Sequence, residues 1–131
     1  MNGLHILAEF HDCGCAPQLL RDVAALQRTA LAACQAAGLT VVGQVFHAFG
    51  TPQRPAGATG AVVLAESHLA VHTWPELGAA TLDIYVCNFS QDNRMAAEAA
   101  YLALQSAFRP ARSVRRDVER GGGPTAACAK L

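Results

Sequence analysis

Hydrophobic and polar residues alternate at the start of the chain and then change period. Over residues 4–10 every second position is apolar, which predicts a β-strand whose buried face is formed by Leu4, Ile6, Ala8 and Phe10. From Pro17 onward the apolar positions recur at helical spacing, and Gly38 suits the C-terminal stop of that helix. The chain is therefore predicted to open with a strand, a turn and one helix.

Strand-like and helix-like patterns of apolar residues also occur along the rest of the chain. The patterns predict a second helix over residues 91–107 and further strands over 40–49, 60–66, 68–74, 81–87 and 111–118. Two prolines and two glycines indicate a loop over residues 50–58. The order β-α-β-β, β-β-α-β predicts an α+β fold, a two-layer α/β sandwich in which an antiparallel sheet carries both helices on one face. We expect one domain over residues 1–120 and a flexible tail over 121–131.

Charge and cysteine content narrow the classes of partner and compartment. Ten basic residues balance ten acidic ones, so we expect neither a nucleic-acid partner nor an anionic membrane surface. No apolar run approaches the ~20 residues of a membrane-spanning helix. The five cysteines are odd in number and the N-terminus lacks a signal-peptide pattern, which together favour free thiols and a cytoplasmic protein.

Lysine is almost missing from the composition. Nine of the ten basic residues are arginine, and Lys130 follows a run of three glycines near the C-terminus. Enzymes that hold a carbonyl substrate or pyridoxal phosphate as a lysine Schiff base need that lysine in a pocket. This class is nearly excluded, and P-loop chemistry is excluded because no G-x-x-x-x-G-K-S/T motif is present.

A polar segment lies between apolar strands at the junction of the two halves. Residues 65–76, AESHLAVHTWPE, contain two glutamates, two histidines, a serine and a threonine. On an extended chain Glu66, His68 and His72 would share one face. Polar groups on a buried strand cost about 1–3 kcal/mol each unless they are paired. The segment therefore indicates a functional site.

The same segment resembles the processing region of the bacterial S-adenosylmethionine decarboxylase proenzymes. The resemblance runs through AESHLAVHTWPELGAATLDIYVC, in which Cys87 follows Ser67 by 20 residues, and includes HILAEFHDC and GQVFHAF before it. It covers roughly residues 4–115. The resemblance implies self-cleavage between Glu66 and Ser67 into chains of residues 1–66 and 67–131.

The resemblance also implies a cofactor made from the chain itself. The Ser67 hydroxyl would attack the carbonyl of Glu66 and turn the peptide bond into an ester. β-Elimination would then release residues 1–66 with a terminal carboxylate and leave residue 67 as dehydroalanine, which water would hydrolyse, with loss of ammonia, to a pyruvoyl group. That carbonyl would condense with the α-amine of the substrate and accept the electrons left by departing CO₂, the role that pyridoxal phosphate has elsewhere. Such an enzyme needs no lysine.

Three further positions receive catalytic or processing roles from the resemblance. His72 aligns with a histidine that assists processing by proton transfer, and Cys87 aligns with the acid that protonates the α-carbon. Thr59 occupies a position that is usually serine, whose hydroxyl helps to orient the cleaved linkage. A hydroxyl is kept at Thr59, although its χ1 is stiffer.

Substrate contacts are implied at three other positions. Glu76 aligns with an acid that hydrogen-bonds the ribose hydroxyls, Phe49 aligns with an aromatic residue near the adenine, and Glu9 is expected to line the site. We expect conversion of S-adenosylmethionine to its decarboxylated form for spermidine biosynthesis. The same chemistry on L-ornithine or L-arginine is an alternative, since the 50–58 loop is longer than in compact relatives. A nucleoside-binding relative that neither cleaves itself nor catalyses a reaction is another.

The remaining expectations concern metal binding, a hydrolase alternative and the oligomeric state. We expect no metal, because His11, Cys13 and Cys15 lack the C-x₂₋₄-C spacing typical of zinc sites and no fourth ligand is evident. A hydrolase that pairs Cys87 with His72 is disfavoured, because no oxyanion-loop signature accompanies the cysteine. The resemblance implies a homodimer of cleaved protomers with sites at the subunit interface.

Overall fold

The computed structural model describes residues 2–89 and 91–121. In these residues, six antiparallel strands form one sheet in the order β2-β3-β4-β5-β1-β6. The strands are β1 (Gly3–Cys13), β2 (Val41–Gly50), β3 (Pro55–Leu64), β4 (His68–Trp74), β5 (Ala79–Cys87) and β6 (Pro110–Arg120). The predicted α+β sandwich is confirmed, and the predicted order of elements holds except that two helices stand where one was expected in the first half.

The helical layer differs from the prediction in its first half. The described residues contain α1 (Pro17–Arg21), α2 (Val23–Ala36) and α3 (Arg94–Phe108), and a short 3₁₀ helix, Pro75–Leu77, joins β4 to β5. A single helix from Pro17 is therefore wrong. Asp22 has extended backbone angles, and its side chain accepts a hydrogen bond from the N–H of Ala24 at 3.0 Å, so it caps a new helix.

The core lies between the helices and one face of the sheet. Leu4, Ile6, Ala8 and Phe10 of β1 are all buried, as their spacing predicts. The Phe10 ring centroid lies 5.8 Å from that of Phe108 on α3. Full burial of such a side chain contributes about 1.5–3 kcal/mol, so this layer holds the helices to the sheet.

No helix of residues 2–89 and 91–121 lies on the other face of the sheet, which we call the open face. Exposed apolar side chains on it include Val45 at 72% exposure, together with Phe49, Trp74 and Val118. On β4 the buried residues alternate with those of the open face, so His68 and His72 share the latter. The two histidines of the segment at residues 65–76 therefore point away from the core, whereas its Thr73 is buried.

The predicted loop over residues 50–58 is shorter than expected. The strand β3 begins at Pro55, and a turn closes through hydrogen bonds between Thr51 and Arg54, with N···O distances of 3.0 and 3.1 Å. Gly57 lies inside β3 at φ +112°, where a Cβ atom would come within 2.8 Å of the Thr73 carbonyl oxygen. Proline at a strand start and glycine at a close backbone approach are both compatible with a strand.

The predicted tail and the absence of a membrane-spanning helix can be compared with the structure only in part. Of the predicted tail, residues 122–131 lie outside the described residues. Among the described helices, none has the length and apolar character needed to cross a membrane.

Candidate functional site

The bond between Glu66 and Ser67 lies in a tight turn between β3 and β4. The N–H of Leu64 donates to the carbonyl oxygen of Ser67 at 2.9 Å, and the N–H of Ala65 donates to that of Thr40 at 3.0 Å. Glu66 and Ser67 are half-buried and help to line a cavity of about 230 Å³. The predicted cleavage site is thus an ordered turn beside a cavity.

Ser67 meets Cys87 at this turn. The backbone N–H of Cys87 donates to Ser67 Oγ at 3.2 Å, and Cys87 itself is 5% exposed. The amide of Asn93 donates to the Cys87 carbonyl oxygen at 2.8 Å, so the backbone around the cysteine is held in place. The 20-residue spacing of the two residues corresponds to the β4–β5 hairpin, which returns the chain to its starting end.

His72 and Thr59 form a second group. They are paired across β4 and β3, and the Thr59 hydroxyl is hydrogen-bonded to Nδ1 of His72. The His72 ring lies 6.2 Å from the Trp74 ring, and both residues line a cavity of about 310 Å³ with Thr59 and Phe49. Three residues predicted for the site therefore share this cavity.

The two predicted acidic residues lie near the second group. Glu9 is exposed on the open face, forms a pair with His11 at 2.9 Å, and lines a cavity of about 380 Å³ together with His72. Glu76 is exposed in the 3₁₀ helix that follows β4. Both carboxylates are thus accessible to a ligand at the His72 end of β4.

One chain does not bring all the predicted residues together. Ser67 precedes β4 and His72 lies within it, and five residues of extended chain span about 16 Å at about 3.3 Å per residue. Ser67 and Cys87 therefore form one group, and Thr59, His72 and Phe49 form another at the opposite end of the strand. Ser67 and His72 are close in sequence but lie far apart in space, because the backbone between them is extended.

Sequence reasoning missed a polar cluster between these groups. His5 Nε2 and His68 Nε2 each lie 3.4 Å from Asp83 Oδ1. In the register of the sheet, both His5 and His68 are opposite Tyr85. Alternating polar positions on β1 and β5 gave a weak signal, but the pairing of strands distant in sequence was needed to join them.

Tyr85 lies beside this cluster and beside Cys87, the predicted proton donor. Burial raises the pKa of Tyr85, and the neighbouring Cys87 thiol, a hydrogen-bonding partner, raises it further, while Arg120 has the opposite effect. The Arg120 guanidinium lies 4.3 Å from the centre of the Tyr85 ring. The phenol is therefore neutral near pH 7 and can donate a hydrogen bond.

The residues of the His-x-Cys-x-Cys pattern do not converge. His11 pairs with Glu9 on the open face, whereas Cys13 and Cys15 pack against the hydrophobic core. Burial, with smaller effects of Cys15 and Asp12, raises the pKa of Cys13 to about 11. This thiol is protonated at neutral pH and is a poor metal ligand or nucleophile there.

The sequence of this domain matches a known family over nearly its whole length. The sequence model described as S-adenosylmethionine decarboxylase matches residues 4–121. The chain belongs to the S-adenosylmethionine decarboxylase family. The resemblance seen in the motif at Ser67 is thereby confirmed for the domain as a whole.

Curated members of the S-adenosylmethionine decarboxylase family support the match. The proenzyme of Parasynechococcus marenigrum is 38% identical over 120 residues, which cover 92% of this chain and 86% of that protein. The proenzyme of Thermosipho melanesiensis is 41% identical over 90 residues, which cover 69% of this chain. That alignment spans 65% of the Thermosipho protein, slightly less than two thirds of its length.

A solved structure of the family shares the fold. The crystal structure of the adenosylmethionine decarboxylase from Aquifex aeolicus superposes with a TM-score of 0.79 at 30% sequence identity. The superposition covers 94% of this chain and 93% of that one. The six-stranded sheet with its helices on one face is therefore an arrangement that this family adopts.

Proposed function

We propose that this protein is a self-processing, pyruvoyl-dependent decarboxylase that acts on S-adenosylmethionine and supplies its decarboxylated form for spermidine biosynthesis. The observation that carries the proposal is the contact between Ser67 Oγ and the Cys87 backbone N–H at 3.2 Å, in an ordered turn of a chain that belongs to this family. The contact supports the proposal because residue 67, the residue proposed to be converted, lies next to Cys87, the proposed proton donor.

The turn at Ser67 suits self-cleavage after Glu66. The Cys87 N–H fixes the position of Ser67 Oγ, which leaves the hydroxyl proton free for transfer to a base. A break after Glu66 would leave β4 hydrogen-bonded to β3 on one side and β5 on the other. Residue 67 would therefore stay in place as the new terminus.

The surroundings of residue 67 also fit a pyruvoyl group. The residue borders a cavity of about 230 Å³ and lies next to Cys87, whose side chain is almost completely buried. When formed, the group supplies a carbonyl that binds the amine of the substrate and accepts the electrons released with CO₂. The chain's own contribution is to shield this site and to keep Cys87, the proposed proton donor, beside the Tyr85 hydroxyl.

The second group of residues is proposed to bind substrate and to assist processing. Phe49 offers an aromatic face for an adenine at the edge of the cavity of about 310 Å³. The carboxylate of Glu76 can accept hydrogen bonds from ribose hydroxyls, and Glu9 lies on the face that the ligand would cover. The His72 imidazole, oriented by Thr59, can transfer protons during cleavage.

A homodimer would reunite the two groups. About 16 Å of strand separates Ser67 from His72 within one chain, and apolar side chains such as Val45, Phe49 and Trp74 are exposed on the open face. If two open faces pack in antiparallel fashion, the Ser67 end of one β4 meets the His72 end of the other. Each site would then combine Ser67 and Cys87 with His72 of the partner subunit.

The unpaired cysteines favour a reducing cellular compartment. In the described part of the chain Cys13, Cys15, Cys34 and Cys87 are unpaired. We include a reducing, cytoplasmic location in the proposal, because free thiols persist in that environment.

Intact mass under denaturing conditions tests the processing step. Two chains are expected, residues 1–66 and residues 67–131 with a blocked N-terminus. Ser67→Ala should remain a single chain, whereas the control Ser113→Ala, at an exposed serine on β6, should cleave as the wild type does. A wild-type chain that stays intact after prolonged incubation would contradict the proposal.

Release of labelled CO₂ tests the substrate. Carboxyl-labelled S-adenosylmethionine, L-ornithine and L-arginine are supplied separately to the processed protein. Release from S-adenosylmethionine alone is expected. Release from one of the other two would keep the chemistry and replace the substrate, and no release from any of them would point to a binding protein.

A further inference from the structure

Three side chains from three neighbouring strands converge on the open face. His5 of β1, His68 of β4 and Asp83 of β5 each direct one ligand-type atom into the cluster, and these atoms all lie within 4.8 Å of one another. Each imidazole Nε2 lies 3.4 Å from Asp83 Oδ1. The cluster is separate from the group formed by Ser67 and Cys87 and from the group formed by Thr59, His72 and Phe49.

Two of its polar atoms are buried without a hydrogen-bond partner. Among the described residues, His5 Nε2 and Asp83 Oδ1 are inaccessible to solvent and take part in no hydrogen bond. Buried polar atoms are rarely left in this state in folded proteins. A group that binds both atoms at once would satisfy them.

A divalent metal ion satisfies this requirement. Zinc binds imidazole nitrogen and carboxylate oxygen at about 2.0–2.2 Å in tetrahedral geometry, which sets neighbouring ligand atoms about 3.4 Å apart. Both histidine–aspartate distances equal 3.4 Å. We propose that His5, His68 and Asp83 bind one divalent first-row transition-metal ion, with zinc as the reference ion and a fourth position open to water.

The surroundings favour a fixed ligand set. The Tyr85 ring lies 5.9 Å from the His5 ring and 5.6 Å from the His68 ring, so it limits rotation of both imidazoles. In the described part of the chain, the ion-pair partners of Asp83 are these two imidazoles rather than an arginine. Arg116 borders the same cavity as Asp83 but forms no ion pair with it there. The carboxylate charge is thus available to a cation.

The site would connect the two products of self-cleavage, and this consequence rests on the proposed function. His5 belongs to the segment of residues 1–66, whereas His68 and Asp83 belong to residues 67–131. His68 is also the neighbour of residue 67. A bound ion would therefore join the two chains next to the new terminus and resist their separation.

Metal binding is measured on untagged full-length protein that has been stripped with a chelator. Zn²⁺ is titrated by calorimetry, and Co²⁺ is titrated by its visible d–d absorption, which reports tetrahedral coordination. One ion per chain with a tetrahedral Co²⁺ spectrum is expected. Absence of uptake by the folded wild-type protein would overturn the proposal without recourse to any variant.

Variants then test the ligand set. His5→Gln, His68→Gln and Asp83→Asn should each lower the affinity at least ~100-fold, since loss of even an outer partner of a ligand costs 10–100-fold. His11→Gln is the matched control, because His11 forms a histidine–carboxylate pair with Glu9 on the same face. Equal binding by all four variants would contradict the assignment. Circular dichroism without metal shows whether each variant is folded, and the isosteric Asp83→Asn gives the cleanest comparison.

The two proposals fail in different ways. If wild-type protein binds the ion but remains a single chain, the proposed function is wrong and the metal site stands. If the protein cleaves and decarboxylates but binds no ion, the metal site alone is wrong. If both hold, saturating Zn²⁺ should raise the denaturant concentration at which the two chains separate, and Asp83→Asn should abolish that shift.

Discussion

The hydroxyl of Thr59 and Nδ1 of His72 form a hydrogen bond across β3 and β4. This bond fixes the plane of the imidazole and leaves Nε2 directed away from β3, where it can exchange protons with a reacting group. Under the proposed function, Thr59 would thus position His72 for proton transfer, which would explain the need for a hydroxyl at this position.

Removing that hydroxyl should slow self-cleavage. Thr59→Val keeps the shape of the side chain and loses the hydrogen bond, so we expect the cleavage rate to fall about tenfold, less than the 10²–10⁴-fold that a proton-transfer group itself supplies. Thr59→Ser should restore the rate. The time course of intact mass after synthesis in vitro measures both, and a valine variant that cleaves at the wild-type rate would remove Thr59 from the processing step.

Substitution of Cys87 should impair decarboxylation without preventing self-cleavage. Cys87→Ala leaves Ser67 and the backbone N–H of residue 87 in place, so two chains should still form. Decarboxylation should fall by about 10²–10⁴-fold if Cys87 is the proton donor, because the variant lacks the thiol. Mass analysis and CO₂ release on the same sample give the two readings, and full activity of the cleaved variant would exclude the thiol as the acid.

Mixed dimers should reveal whether sites are shared between subunits. Ser67→Ala and His72→Ala are each expected to block or slow cleavage alone. When the two chains are produced together, one site of each mixed dimer combines an intact Ser67 with an intact His72. A fraction of the His72→Ala chain should then cleave. If this chain is cleaved no better in the mixture than alone, the two residues do not act across subunits.

Thr73 should contribute to the stability of the fold. It is 5% exposed, donates to the Leu20 carbonyl oxygen at 2.7 Å and accepts from the Ala58 N–H at 2.9 Å. Thr73→Val would leave these buried groups unpaired at a cost of about 1–3 kcal/mol. Urea denaturation measures the loss. Thr73→Ser keeps the hydroxyl and should be less destabilised, and equal losses in both variants would point to packing instead.

Alkaline pH should weaken the fold through buried thiols. Burial raises the pKa of Cys34 from 9.0 to about 11, so between these values the unfolded chain loses a proton that the folded chain keeps. Stability should therefore decrease as pH rises through this window, by at most about 1.4 kcal/mol per pH unit for one thiol. Urea denaturation under reducing conditions at several pH values gives the slope. Cys34→Ala should flatten it, and an unchanged slope would assign the effect to other groups.

The spacing of apolar residues predicted the structural features that depend only on residues close in sequence. The alternation of Leu4, Ile6, Ala8 and Phe10 correctly gave a strand and its buried face, because the side-chain period of a strand is independent of its partners. The order of elements followed from the same kind of pattern. The break at Asp22 was not predicted, since a capping aspartate interrupts a helix without disturbing its apolar period.

The arrangement of the site depended on contacts between distant residues. Sequence indicated Ser67 and Cys87 by a spacing that one hairpin realises. The strand predicted over residues 68–74 already implies that about 16 Å separates His72 from Ser67, but local spacing did not show which residues of other strands lie beside His72, such as Thr59 of β3. The meeting of His5, His68 and Asp83 required the register of three strands, which no local pattern encodes.

The order of the strands has a consequence for the fate of the two products. Residues 1–66 contribute β1, β2 and β3, whereas residues 67–131 contribute β4, β5 and β6, and β1 lies between β5 and β6. The products would be interleaved rather than placed side by side. To come apart they would have to break the β3–β4, β1–β5 and β1–β6 ladders. Cutting the backbone would thus create two chains that behave as one folding unit, and neither has a complete sheet to return to alone.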